Sequence, residues 1–83
     1  MGEQDAILVI DHDADAALLL SDFLEREGYA VAVARTGAEG LRLIQRQTFA
    51  LVLLDLDVPD ANGTSLMREA TRGETPPEVI VVT

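Results

Sequence analysis

The chain has 83 residues, 48% of them apolar but only 4% aromatic, and a formal charge of −9. A chain of this length holds one domain at most and buries only about 60–65% of the surface it exposes when unfolded. The excess of 15 acidic over 6 basic residues repels nucleic-acid phosphates and anionic lipid, which argues against direct contact with either.

Cysteine is absent, which excludes a disulfide framework, a thiolate metal site and a thiol nucleophile and suits a reducing cytoplasm. No cationic leader precedes an apolar run, and no segment approaches the ~20 apolar residues of a membrane span. The expectation is a soluble, cytoplasmic domain with no membrane contact.

In chain order, ILVI (7 to 10) is a short continuous apolar run, the pattern of a parallel strand covered on both faces. Ala16, Leu19, Leu20, Phe23 and Leu24 then recur at helical spacing, and Gly28 stands where a helix C-terminus favours a left-handed residue. Leu18 lies off this stripe, toward solvent or a partner. YAVAVA (29 to 34) alternates Val with Ala and predicts a thinner edge strand. Thr36 and Glu39 form a T-x-x-E capping box opening a second helix, with Gly40, Leu41 and Ile44 on its inner face.

LVLL (51 to 54) and VIVV (79 to 82) are further buried-strand runs, and a short third helix is expected from Thr64 with Leu66 and Met67. Strand and helix alternate three times before a last strand, which predicts a right-handed parallel α/β sheet. VIVV has nothing after it but Thr83. A bare apolar edge invites pairing, so either the chain is part of a longer protein or two copies self-associate through this fourth strand.

Ligand sites of open parallel sheets lie beyond the carboxyl ends of the strands. The first strand runs into Asp11, His12 and Asp13, the third into Asp55 and Asp57, and the fourth into Thr83. Two carboxylates ~5 Å apart repel by roughly 3 kcal/mol at an effective dielectric near 20. Relief comes from protonation or from a divalent cation, and an oxygen-rich set favours Mg²⁺. A cation there also neutralises an incoming phosphoryl group, so that one Asp can attack phosphorus. Asp55, at the strand terminus, is the candidate nucleophile. Thr83 is the candidate hydroxyl donor to a phosphoryl oxygen, although a terminal Thr can equally just continue its strand. Asp13 and Asp60 read equally well as turn or cap residues. His12 fits an ordinary loop surface, and one His beside Asp11 is a weak signal for a transition metal.

Taken together, ILVIDHD, EREGYAVAVARTGAEGLRLI, FALVLLDLDVPDANG and PPEVIVVT resemble the receiver domain of two-component response regulators across the whole chain. The resemblance implies a flavodoxin-like open parallel sheet of strand order 2-1-3-4. It implies that Asp55 accepts a phosphoryl group from a sensor histidine kinase or phosphotransfer protein. Asp11 would supply the first acidic side chain of the Mg²⁺ site, Asp57 its backbone carbonyl, and Thr83 the hydroxyl that senses the phosphoryl group. Such a domain is a regulatory switch rather than an enzyme, catalysing at most its own phosphotransfer and dephosphorylation.

Two departures stand out. His12 occupies the place of a second acidic residue, which weakens Mg²⁺ binding or shifts preference toward a metal that accepts imidazole. The family also continues through a helix, a fifth strand bearing a Lys, and a last helix, so residues 1–83 read as a partial receiver truncated before the fifth strand, its effector domain elsewhere.

Two alternatives remain open. A degenerate receiver would keep the fold as a phosphorylation-independent dimerisation module, with His12 disabling the metal site. LLDLDV also resembles the D-x-D motif of haloacid dehalogenase-like phosphohydrolases, although that motif ordinarily ends the first strand.

Overall fold

The computed structural model describes residues 5–55, 57–58, 68 and 78–82. Four parallel strands, β1 (Ala6–Ile10), β2 (Ala30–Ala34), β3 (Leu51–Asp55) and β4 (Glu78–Val82), form one sheet in the order β2-β1-β3-β4. The α/β class and strand order are those expected, with YAVAVA at one edge. The expected helix from Thr64, the turn containing Asp60, and Thr83 lie outside the described residues.

Helices α1 (Ala14–Arg26) and α2 (Gly37–Arg46) cover opposite faces. On one face Ile7, Val9 and Ala17 are buried with Leu20, Leu24, Val31, Leu51 and Leu53 against them. On the other, Leu8, Ile10, Ala34, Phe49, Val52, Leu54 and Val58 form the larger core, backed by Leu41, Leu43 and Ile44. Alternation along β1 places Leu8 and Ile10 on one side and Ile7 and Val9 on the other, which is why the run is apolar throughout.

The inner stripe of α1 differs from the expected one. Ala17 and Ser21 are the buried positions, flanked by Leu20 and Leu24, whereas Ala16, Leu19 and Phe23 are exposed. The small pair at i and i+4 lets the helix lie close to the sheet, and bulk alone pointed to the wrong face. The Ser21 hydroxyl donates to the Leu18 carbonyl at 3.2 Å, so its burial leaves no unmet donor. Leu18 is exposed as expected.

Local chemistry sets the helix ends. Asp13 caps α1, accepting from the N–H groups of Asp15 and Ala16 at 3.0 and 3.2 Å. Its other end closes as a Schellman motif: Gly28 N–H donates to Glu25 O, Tyr29 N–H donates to Leu24 O, and Gly28 has φ +100°. Thr36 caps α2 through Glu39 N–H at 3.1 Å. The reciprocal bond of the expected box goes one residue further back, from Arg35 N–H to Glu39 Oε1 at 2.8 Å.

Candidate functional site

Register explains how distant acids meet. Ile10 pairs with Leu54, so Asp11 and Asp55 are the next residues along two adjacent parallel strands. Asp11 continues the sheet through its N–H to Ala34 O at 3.0 Å. Ligand-capable atoms of Asp11, His12 and Asp55 all lie within 4.8 Å of one another.

Each carboxylate is held by the chain just beyond it. Asp13 N–H donates to Asp11 Oδ1 and Asp57 N–H donates to Asp55 Oδ1, both at 2.9 Å. The turn after β3 is tethered from below, because Val58 is buried and its N–H donates to Asp55 O at 3.2 Å. One oxygen of each acid is thereby oriented by backbone. Asp55 Oδ2 lies 3.5 Å from His12 Nδ1.

Beneath the acids is a small cleft of ≈ 40 Å³ lined by Val9, Ile10, Leu20, Leu53 and Val82 as well as by Asp11 and Asp55. Desolvation there raises the Asp11 carboxyl above the ordinary carboxylate range; the Asp13 N–H opposes the rise and Asp55 adds to it. For Asp55 the Asp57 N–H dominates and holds the carboxyl below that range, with smaller contributions from Asp11 and His12. The two acids are thus unequal: Asp11 retains a proton more readily, and Asp55 remains an anion.

The expected residues Asp11, His12 and Asp55 come together. Asp57 contributes an N–H to Asp55 and has an exposed side chain, and Thr83 lies outside the described residues. Two contributors escaped the sequence reading. Val58 anchors the turn. Arg35 donates from Nε and Nη2 to the His12 carbonyl at 3.3 and 3.0 Å. The signal for Arg35 is its position: it follows Ala34, the last residue of β2, the strand beside β1, and so emerges next to the residues that follow Ile10.

The molecule is an open parallel α/β sheet with paired acids at the carboxyl ends of adjacent strands, the place where folds of this class bind their ligands. Residues 7–83 match the sequence model of the family described as Response regulator receiver domain. The chain belongs to that family, and so is a receiver domain of two-component systems. It is 36% identical over 77 residues to Transcriptional regulatory protein GlrR of Escherichia coli (strain K12), covering 93% of this chain and 17% of that protein.

Among solved structures, a CheY-like receiver domain protein from Methanospirillum hungatei JF-1 superimposes with a TM-score of 0.87 at 36% identity, over 98% of this chain and 65% of that one. A response regulator protein from Burkholderia pseudomallei, described with a phosphorylated aspartic acid, calcium ion and citrate, gives 0.83 at 31% identity, over 94% and 46%. The chain thus spans less than two thirds of these relatives. The dehalogenase alternative is set aside, since the D-x-D motif begins at the last residue of β3 rather than at the end of the first strand and the match is to receivers.

Proposed function

We propose that this chain is the phosphoacceptor part of a two-component switch, in which Asp55 takes a phosphoryl group from a phosphohistidine on a sensor kinase or phosphotransfer protein. The carrying observation is the register that sets Asp11 beside Asp55 while Asp57 N–H keeps Asp55 anionic. A free oxygen of Asp55 forms the new bond to phosphorus, the phosphorus–nitrogen bond breaks, and the donor imidazole leaves with the electron pair.

The carboxylate oxygens of Asp11 and Asp55, close together at strand ends, are a hard donor set that fits Mg²⁺. Asp11, Asp55 and the backbone carbonyl of Asp57 would hold it. Bound there, the cation supplies positive charge to the phosphoryl oxygens. Thr83, following β4 in sequence, is the assigned hydroxyl donor to the phosphoryl group, and the signal passes to an effector domain beyond this segment. The phosphorylated aspartate and calcium ion described for the Burkholderia pseudomallei protein support the assignment by likeness.

Incubation with Mg²⁺ and acetyl phosphate tests it. Intact mass should rise by one phosphoryl group, and Asp55→Asn should abolish the gain. A second reading is favoured by His12 at the place of an acid: a receiver that dimerises without phosphorylation. No mass gain at saturating metal would select it.

A further inference from the structure

We propose that His12 is a direct metal ligand and that the notch of Asp11, His12 and Asp55 is selective for a divalent first-row transition ion of the Zn²⁺ kind over Mg²⁺. The inference rests on the phosphoacceptor reading only in placing a cation at these acids. It departs from that reading in the identity of the cation.

The distance between His12 Nδ1 and Asp55 Oδ2, 3.5 Å, is long for a hydrogen bond, whose N···O separation is ordinarily about 2.7–3.2 Å. It leaves the ring nitrogen and the carboxylate oxygen facing each other across a gap that one cation can bridge. The third donor, Asp11, completes a set whose ligand atoms lie within 4.8 Å of one another.

The chemistry points the same way. Imidazole nitrogen is a good ligand for Zn²⁺, Ni²⁺ and Cu²⁺ and a poor one for Mg²⁺, which favours all-oxygen shells and retains its waters. One nitrogen and two carboxylates make a three-ligand set of the type that leaves a fourth position for a small oxygen ligand. The His12 side chain is 49% exposed, so that position is reachable from solvent. The His12 backbone is held independently of any ion, by the two Arg35 hydrogen bonds to its carbonyl. The ring is therefore delivered to the notch by the fold itself.

The test uses the untagged chain, whose sequence contains one histidine and no cysteine, stripped with chelator and titrated with Zn²⁺ alone and with Mg²⁺ alone by calorimetry. Zn²⁺ should bind at least about tenfold more tightly than Mg²⁺. His12→Gln should lose about tenfold or more in Zn²⁺ affinity, and His12→Asp should gain affinity for Mg²⁺. In the unsubstituted protein, Zn²⁺ should move the ¹⁵N resonance of one imidazole nitrogen, an assay that needs no variant to fold. Zn²⁺ affinity unchanged in His12→Gln, or unmoved imidazole resonances at saturation, would overturn the proposal. Mass gain from acetyl phosphate is read separately. Phosphorylation without a His12 effect sinks this inference alone; Zn²⁺ ligation through His12 without phosphorylation by any cation sinks the phosphoacceptor reading alone.

Discussion

Arg35 holds the carbonyl of His12 in a two-pronged grip, Nε at 3.3 Å and Nη2 at 3.0 Å, while its own N–H is bound by Glu39 at the start of α2. The loop after β1 is thus fastened to the loop after β2. Arg35→Ala should free the His12 backbone. Both groups are exposed, so the stability cost should be about 1 kcal/mol or less, while ¹⁵N relaxation should report faster motion at residues 11–13. A loss of several kcal/mol with unchanged loop relaxation would mean that Arg35 acts through the fold instead.

The close packing of α2 on β1 predicts the outcome at Gly40. A Cβ there would lie 2.5 Å from Ile10 Cδ1 and 2.9 Å from its Cγ1, and Ile10 is fully buried. Ala gains about 1 kcal/mol in helix propensity, but overpacking of this sort costs about 1–3 kcal/mol. Gly40→Ala should therefore lower the urea midpoint. At Gly28 an added Cβ meets nothing within 4 Å and the penalty comes from φ +100° instead, so Gly28→Ala should cost roughly 1 kcal/mol through backbone strain.

Asp11 and Asp55 contribute to stability with opposite pH dependence in the cation-free protein. The folded-state value of Asp55 is depressed from 3.8, so its contribution is present above the unfolded value and is lost as pH falls through the folded one. The Asp11 value is raised, so its contribution is present below the unfolded value and is lost as pH rises through the folded one. Asp11→Asn should then melt at higher temperature than the unsubstituted chain at neutral pH in chelator, with the advantage shrinking on acidification. A pH-independent difference would show that charge is not the cause.

Leu8 and Leu54 are among the largest fully buried side chains, on the face covered by α2. Leu8→Ala should cost about 2–5 kcal/mol, a large share of the stability of so short a chain. Loss of the cooperative thermal transition, followed by circular dichroism, is the expected outcome.

Ile80, Val81 and Val82 are 44–49% exposed on β4, at the sheet edge, and Leu18, Leu19 and Phe23 are exposed on α1. Such surfaces favour association. Sedimentation of the 83-residue chain should show mass rising with concentration, and Val81→Lys should reduce it. A monomer at every concentration would contradict the expectation.

Strand identity, order and the meeting of Asp11 with Asp55 were readable because continuous apolar runs have few alternatives and a parallel sheet brings its carboxyl ends together. The inner face of α1 differs from the expected one because bulk favours Leu19 and Phe23, whereas close approach to a sheet rewards the smallness of Ala17 and Ser21. Arg35 is harder to read for a different reason: strand order places it beside the residues after Ile10, but its partner is a backbone carbonyl rather than a side-chain motif. The reach of His12 toward Asp55 likewise required a distance, not a pattern.

The turn that presents Asp11 and His12 ends in the N-cap of α1, since Asp13 gives its N–H to Asp11 and receives those of Asp15 and Ala16. Any swing of the Asp11 carboxylate therefore withdraws a partner from the cap itself. If the notch takes an ion or a phosphoryl group as proposed, amide exchange at the head of the helix should report it, and the cap would then have a mechanical share in the response.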